Sequence, residues 1–453
     1  MQSVLPILCA LLATGLTLRP CCAESPNVWG AFLGAGHSAI DPSGIPTTWS
    51  PEENVAWSVA LPGYGQSSPV IFGDRIFVTS IEGENKERNI VSCYDLKSGE
   101  KRWQRNFPSS DPVKNSTFVS RAAPTPAVDA NGVYAFFESG DVVLLTHAGE
   151  EVWRRSLSKD YGQFENEYGL GASPVLIDGK LVLLIDHPGP SYLIAIDAAT
   201  GKTAWKTDRE SRGSWSSPML LKVGEETQVL CSSGGTIDAY APQNGELLWA
   251  EQGIGGNRIC SPFVFADGTF LVGSQTSREF KDEDSVKRSN LAMQVRREGK
   301  AWKTEVLWRN EKMTPGMASP VAFGGHAYWV NRSGAVMCLD AETGEERYTE
   351  RLQQSCWATP LGIGDRLYLF GKDGLTSVIS LGSKFKLLAE NQLWDPDAVV
   401  VDPSIVERET EPRRKAAAAM HSGPEVMGVA CVSGSLIVRT GDRLYCIRSA
   451  SAE

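Results

Sequence analysis

Asp95–Leu96–Lys97–Ser98–Gly99–Glu100–Lys101–Arg102–Trp103 is a turn closed by glycine with an aromatic four residues later, and the chain repeats it. Asp197, Gly201 and Trp205 form a second copy; Gly149 with Trp153 and Gly245 with Trp249 keep its last two members; Asp340, Gly344 and Tyr348 put Tyr in place of Trp. With Trp308 filling the long gap, the aromatics stand at 103, 153, 205, 249, 308 and 348, in steps of 50, 52, 44, 59 and 40. A period of this size, with only short strand-like runs inside it, marks an array of small sheets.

A second register runs in step with the first. Ser68–Pro69, Thr125–Pro126, Ser173–Pro174, Ser217–Pro218, Ser261–Pro262, Ser319–Pro320 and Thr359–Pro360 each precede an apolar run. Proline lacks the N–H that a central ladder needs, so it belongs at the first residue of a strand. Most of these runs meet a tight turn, at Gly73–Asp74, Asn131–Gly132, Asp178–Gly179, Asp267–Gly268, Gly324–Gly325 or Gly364–Asp365, and a β-branched or aromatic strand follows. Glycine beside Asn or Asp between apolar runs is a hairpin signal. Two more strands flank the Gly-to-Trp turn, and four antiparallel strands per unit make a propeller blade.

Seven full units run from about residue 66 to 395, and 427–449 supplies three strands more. Asn54–Val55–Ala56–Trp57–Ser58–Val59–Ala60–Leu61 reads as a fourth strand with its aromatic but without a blade before it. The expectation is an all-β, eight-bladed β-propeller of four-stranded antiparallel blades over 54–449, the last closed by this N-terminal strand, or seven blades if the last unit packs differently. Sharing a blade between the two ends removes two sheet edges. The 44 Gly and 13 Trp among 453 residues suit many tight turns and one aromatic per blade.

Residues 1–23 read as a signal peptide: an apolar run over 4–18, then Cys21–Cys22–Ala23 for cleavage. Arg19 and Pro20 stand where a lipoprotein signal has small residues. Residues 24–53 are an N-terminal extension, and the expected location is periplasmic or secreted. No later stretch approaches the apolar length of a membrane span. A net charge of −10 argues against nucleic acid, whose binding needs clustered cations. Seven of the ten Cys lie beyond the signal, an odd number, and most fall in apolar strand patterns that suit small buried thiols. No His/Cys spacing suggests zinc, Leu33–Gly34–Ala35–Gly36–His37 lacks the third glycine and the βαβ setting of a dinucleotide loop, and no GxSxG elbow is present. No catalytic residue and no metal ligand is assigned.

The blade pattern resembles the pyrroloquinoline-quinone (PQQ) repeat, with Asp197–Ala198–Ala199–Thr200–Gly201–Lys202–Thr203–Ala204–Trp205 as its cleanest copy. That repeat occurs in quinoprotein alcohol dehydrogenases and in the propeller lipoprotein of the outer-membrane β-barrel assembly machinery. The resemblance spans about 54–449, and it implies that the motif packs adjacent blades together. The dehydrogenases place an adjacent-cysteine disulfide over the quinone and hold calcium with Glu, Asn and Asp; here the adjacent cysteines, Cys21–Cys22, fall in the signal. The resemblance therefore runs closer to the assembly lipoprotein, and no cofactor is expected.

In a propeller the first strand of each blade lines the channel. The connections entering it are the long ones here, at 107–121, 157–170 and 395–423, and they share a face with 82–89 and 276–289. Long insertions gathered on one face of a repeat protein mark its binding face. Residues just before the strand-opening prolines should ring the channel mouth: Tyr64, Gln66, Arg121, Tyr168, Trp215, Arg258 and Trp357, with His421 near the eighth station. Aromatics and Arg are the types enriched at recognition hot spots. Trp215 and Trp357 either contact a ligand or cap the channel. The sequence thus points to an exported, non-catalytic binding or scaffold module for a protein, peptide or glycan. The alternative is a PQQ-dependent dehydrogenase with an atypical site, using PQQ and calcium.

Overall fold

The carboxylate of Asp95 accepts the main-chain N–H groups of Lys97 and Ser98 at 2.9 and 2.8 Å, satisfying donors that the turn would otherwise leave open. Asp197 caps Thr200, and Asp340 caps Glu342 and Thr343, in the same way. Gly99, Gly149, Gly201, Gly245 and Gly344 close these turns at φ of 71–83°, a region that L side chains disfavour. A Cβ on any of the five would also come within 2.7 Å of an indole from the preceding blade. That indole donates its Nε1–H to a carbonyl of the same turn: Trp57 to Leu96 at 3.3 Å, Trp103 to His147 at 2.9 Å, Trp153 to Ala198 at 3.0 Å, Trp205 to Pro242 at 2.9 Å and Trp308 to Ala341 at 3.0 Å. Asp shapes the turn, Gly clears a seat, and the Trp of the blade before docks in it.

The product is an eight-bladed β-propeller of four-stranded antiparallel blades. The computed structural model describes residues 27–36, 43–277, 280–399, 403–432 and 434–449; the expected signal peptide lies outside them. Blades 1 to 7 occupy 70–108, 127–156, 175–209, 219–252, 263–309, 321–351 and 361–392. Blade 8 joins Gly428–Val432, Ser435–Arg439 and Arg443–Ile447 to an outer strand from the start of the chain, Val55–Ala60, with Trp57 opposite Cys446. This settles the count at eight. The seam between blades 8 and 1 is further stitched by Arg439, a fully buried side chain whose Nη1 donates to Ser67 O at 3.0 Å and Nη2 to Thr79 O at 2.5 Å.

Inner hairpins turn where the sequence places them: Phe72 faces Arg75, Ile177 faces Lys180, Phe323 faces His326 and Ile363 faces Arg366. Blade 4 adds a turn at Gly224 that the sequence reading passed over. Blade 5 turns tightly at Gly299, so no seat forms there, and Trp249 donates instead to Gln228 Oε1 at 2.7 Å. Middle strands such as Lys180–Ile185 are buried almost throughout, because neighbouring blades cover both faces; outer strands such as Lys101–Pro108 are largely exposed. All seven cysteines of the described residues are buried and unpaired, and burial pushes the Cys231 thiol up to about 12. Among the described residues no helix is long and apolar enough to cross a membrane.

The N-terminal extension enters the channel. Val28–Trp29 adds a fifth strand inside blade 1, pairing with Phe72 and Ile71 beside the tight Gly73 turn, and Gly30 O accepts the N–H of Val128 at 2.8 Å. The 3-10 helix Phe32–Gly36 follows. The chain then passes Trp49, which stacks on Tyr368 of blade 7, and joins the closing strand.

Candidate functional site

Each Ser/Thr before proline holds the last N–H before its strand, and in six of the seven that N–H crosses to the next blade. Ser68 N–H donates to Thr125 Oγ1 at 2.9 Å, Thr125 to Ser173 Oγ at 3.0 Å, Ser173 to Ser217 at 2.9 Å, Ser217 to Ser261 at 2.9 Å, Ser261 to Ser319 at 3.0 Å and Ser319 to Thr359 at 3.1 Å. Six links join seven blades around the channel. Blade 8 has Gly428 at this station, where a Cβ would lie 2.2 Å from Ser68 Oγ, so the circle closes by contact. The sequence reading took these positions as strand openers and missed the hydroxyls' role.

All seven hydroxyl residues line a chamber of about 190 Å³ in the channel, with Trp29, Phe32 and Leu33 of the N-terminal segment also in its wall. That segment comes from the tight-turn side, so it forms the floor. Gln66, Trp215 and Trp357 stand at the opposite, long-loop end. The plug is thus Trp29 and its neighbours, while Trp215 and Trp357 remain partly exposed at the lip.

The eight residues expected at the mouth gather into three groups. Gln66 and Arg121 clasp each other, Gln66 N–H to Arg121 O and Arg121 N–H to Gln66 Oε1, both at 2.9 Å, and the Arg121 guanidinium lies 3.6 Å from the Tyr64 ring centre. Trp215 meets Tyr168 edge-on at 6.0 Å, donates Nε1–H to Gly169 O at 2.8 Å, and passes its main-chain N–H to Arg258 O at 2.7 Å. Trp357 and His421 pack at 5.1 Å on the far side. Sequence reasoning missed Arg332 and Lys372, whose cations sit 5.5 and 5.9 Å from the Trp357 ring, and Glu425, which lies 2.7 Å from His421 Nδ1 and 3.1 Å from Lys372 Nζ. None of the three belongs to a repeated motif, so no pattern announced them.

Burial pushes the Arg121 and Arg258 guanidinium pKa values down and the Tyr64 phenol up. Burial also pushes the Glu425 carboxyl up, but the hydrogen bonds from His421 and Lys372 outweigh it and hold the group below the usual carboxylate value. The mouth therefore combines recessed cations, aromatic faces and one engaged carboxylate. Aromatic and Arg side chains of this kind are enriched at recognition surfaces.

The family described as outer membrane protein assembly factor BamB matches this chain three times, over residues 48–190, 149–306 and 292–437. The chain belongs to that family. Among curated relatives, polyvinylalcohol dehydrogenase of Pseudomonas sp is 26% identical over 199 residues, covering 40% of this chain and 28% of the relative. BamB of Moranella endobia is 25% identical over 202 residues, covering 44% and 46%. The chain thus spans less than half the length of each. The crystal structure of BamB from Moraxella catarrhalis superposes with a TM-score of 0.58 at 13% identity, covering 88% of this chain and 98% of that one, a likeness of fold.

The dehydrogenase branch of this fold raises the question of PQQ and calcium. Calcium takes six to eight oxygen ligands, several of them carboxylates. Among the described residues no three His, Cys, Asp or Glu side chains gather at metal-binding spacing, and Glu425 at the mouth is engaged by Lys372 and His421. Cys21–Cys22 lies outside the described residues.

Proposed function

We propose that this chain is an exported, non-catalytic scaffold that binds a protein partner on its long-loop face. The observation that carries this reading is the mouth itself, where Trp215, Trp357, Tyr168 and Tyr64 stand with Arg121, Arg332 and Lys372 on the face where the long connections gather. The named role of the BamB relatives, assembly factors of outer membrane proteins, supports a protein partner over a peptide or glycan. A periplasmic location would follow from the expected signal segment and from the same relatives.

A photo-crosslinking residue at Tyr168 or Arg258, in the chain expressed with its leader, should capture a discrete protein from envelope extracts. The same residue at Glu225, on the tight-turn face, should not. Equal or absent capture at the two faces would sink the reading. The dehydrogenase reading is favoured by the similarity to polyvinylalcohol dehydrogenase, and titration with PQQ and calcium tests it: tight stoichiometric uptake with a quinone absorbance band would displace the scaffold reading.

A further inference from the structure

The 395–423 connection leaves blade 7 and returns to blade 8, yet its middle, at 408–414, docks far from both. Lys114 Nζ donates to Arg408 O at 2.8 Å, and Ser116 Oγ donates to the buried Glu409 carboxylate at 2.5 Å. Arg414 Nη2 donates to Glu167 Oε1 at 2.7 Å, and its guanidinium lies 5.6 Å from the Phe118 ring. These partners sit on the loops that enter blades 2 and 3. Seven residues beyond Arg414, His421 packs on Trp357 at the start of blade 7. Blades 3 and 7 stand opposite each other in a ring of eight, so the helix Pro412–Met420 spans the channel mouth.

Its attachment is slight. Ala418 alone among the described side chains of this helix is buried, and Glu411 at its N-terminus makes no side-chain capping bond. The Arg414–Glu167 pair is solvent-exposed, and pairs of that kind contribute little and are screened by salt. A segment with few buried apolar contacts opens locally at low free energy. Beneath it the chamber has a floor of Trp29, Phe32 and Leu33, so the covered mouth is the way in.

We propose that residues 403–421 are a gate on the channel mouth, latched at Glu409 and Arg414, whose release lifts His421 off the partly exposed Trp357 and opens the chamber below. The gate regulates the site described above and rests on the scaffold reading only for what it admits; its movement is measurable without any partner.

Hydroxyl-radical footprinting of the full chain reads Trp357 directly, with the seam residue Trp205 as internal control. Replacing 403–421 by a Gly-Ser linker should raise Trp357 labelling severalfold, because it removes His421 from the indole. The double variant Ser116→Ala with Arg414→Ala should raise it by a smaller factor, as should raising salt on the wild-type chain from about 0.05 to about 0.5 M, which shortens electrostatic reach. Trp205 should stay constant throughout, which also certifies the fold of each variant. Equal Trp357 labelling with and without the segment would overturn the proposal. So would amide exchange across 403–421 as slow as in the blade strands and indifferent to the latch variants, the signature of a fixed cap. Failure of crosslinking at Tyr168 and Arg258 would count against the scaffold and leave these readouts intact.

Discussion

At the tight-turn end of the channel, Trp29 is 3% exposed and packs with core residues of blades 1, 7 and 8. At the long-loop end, a helix crosses the opening with Ala418 alone buried among its described side chains and polar contacts at its margins. The floor is held by burial, which is strong and insensitive to salt; the roof is held by a few hydrogen bonds and an exposed ion pair. One chain therefore closes its channel with a buried plug at one end and, at the other, with the lightly held segment of the proposed gate. The proposed binding face lies at the weaker end, and elements that move are drawn from the low-stability parts of a fold.

The contrast can be broken most severely at the floor. Trp29→Ala should cost about 3–5 kcal/mol, the usual loss for a buried Trp, read as a lowered denaturation midpoint; a loss under about 1 kcal/mol would mean the plug is no firmer than the roof. Between the two ends, Ser217→Ala removes one circumferential link and should cost about 1 kcal/mol by the same assay.

Acid probes the seams. Burial pushes the Asp95 carboxyl up, but the hydrogen bond from Arg102 and those from the Ser98 and Lys97 N–H groups outweigh it, leaving a pKa of about 2. A carboxylate depressed from about 3.9 contributes stability above that pH and loses it as pH falls toward the folded value. The stability gap between the wild type and Asp95→Asn should therefore be constant near neutrality and narrow from about pH 4 downward. A gap independent of pH would show that the Asp95 charge is not what shapes the turn. The smallest effect on stability should come from Arg414→Ala, within about 0.5 kcal/mol, as for other exposed pairs. A loss as large as that of Trp29→Ala would abolish the distinction between floor and roof.

How much of this was legible in the sequence follows the range of the interactions. Asp95 caps N–H groups two and three residues away, and Gly99 answers a local φ requirement, so the turn shows in nine residues. The docking of Trp153 on the blade that carries Gly201 appears only as a period. The hydroxyl ring was hidden because Ser217 meets its partner 44 residues away, and Ser before Pro already has a local explanation. The floor rests on a two-residue strand, too short for any pattern, and the roof helix carries Ala416 to Ala419, which advertise helix and nothing about where it lies. Lys372 and Glu425 stand 53 residues apart and meet only because blades 7 and 8 pack side by side.

The pairing of Val55–Ala60 with Arg443–Ile447 also sets an order of events during biosynthesis. Val55–Ala60 must wait, unpaired, while the seven blades between are made, and no circle can form before Arg443–Ile447 arrives. Until then two ladder edges stand open to any other chain with a strand to offer. A nascent molecule of this design keeps those edges open until Arg443–Ile447 has been made, and a variant lacking that strand should self-associate, as read by light scattering.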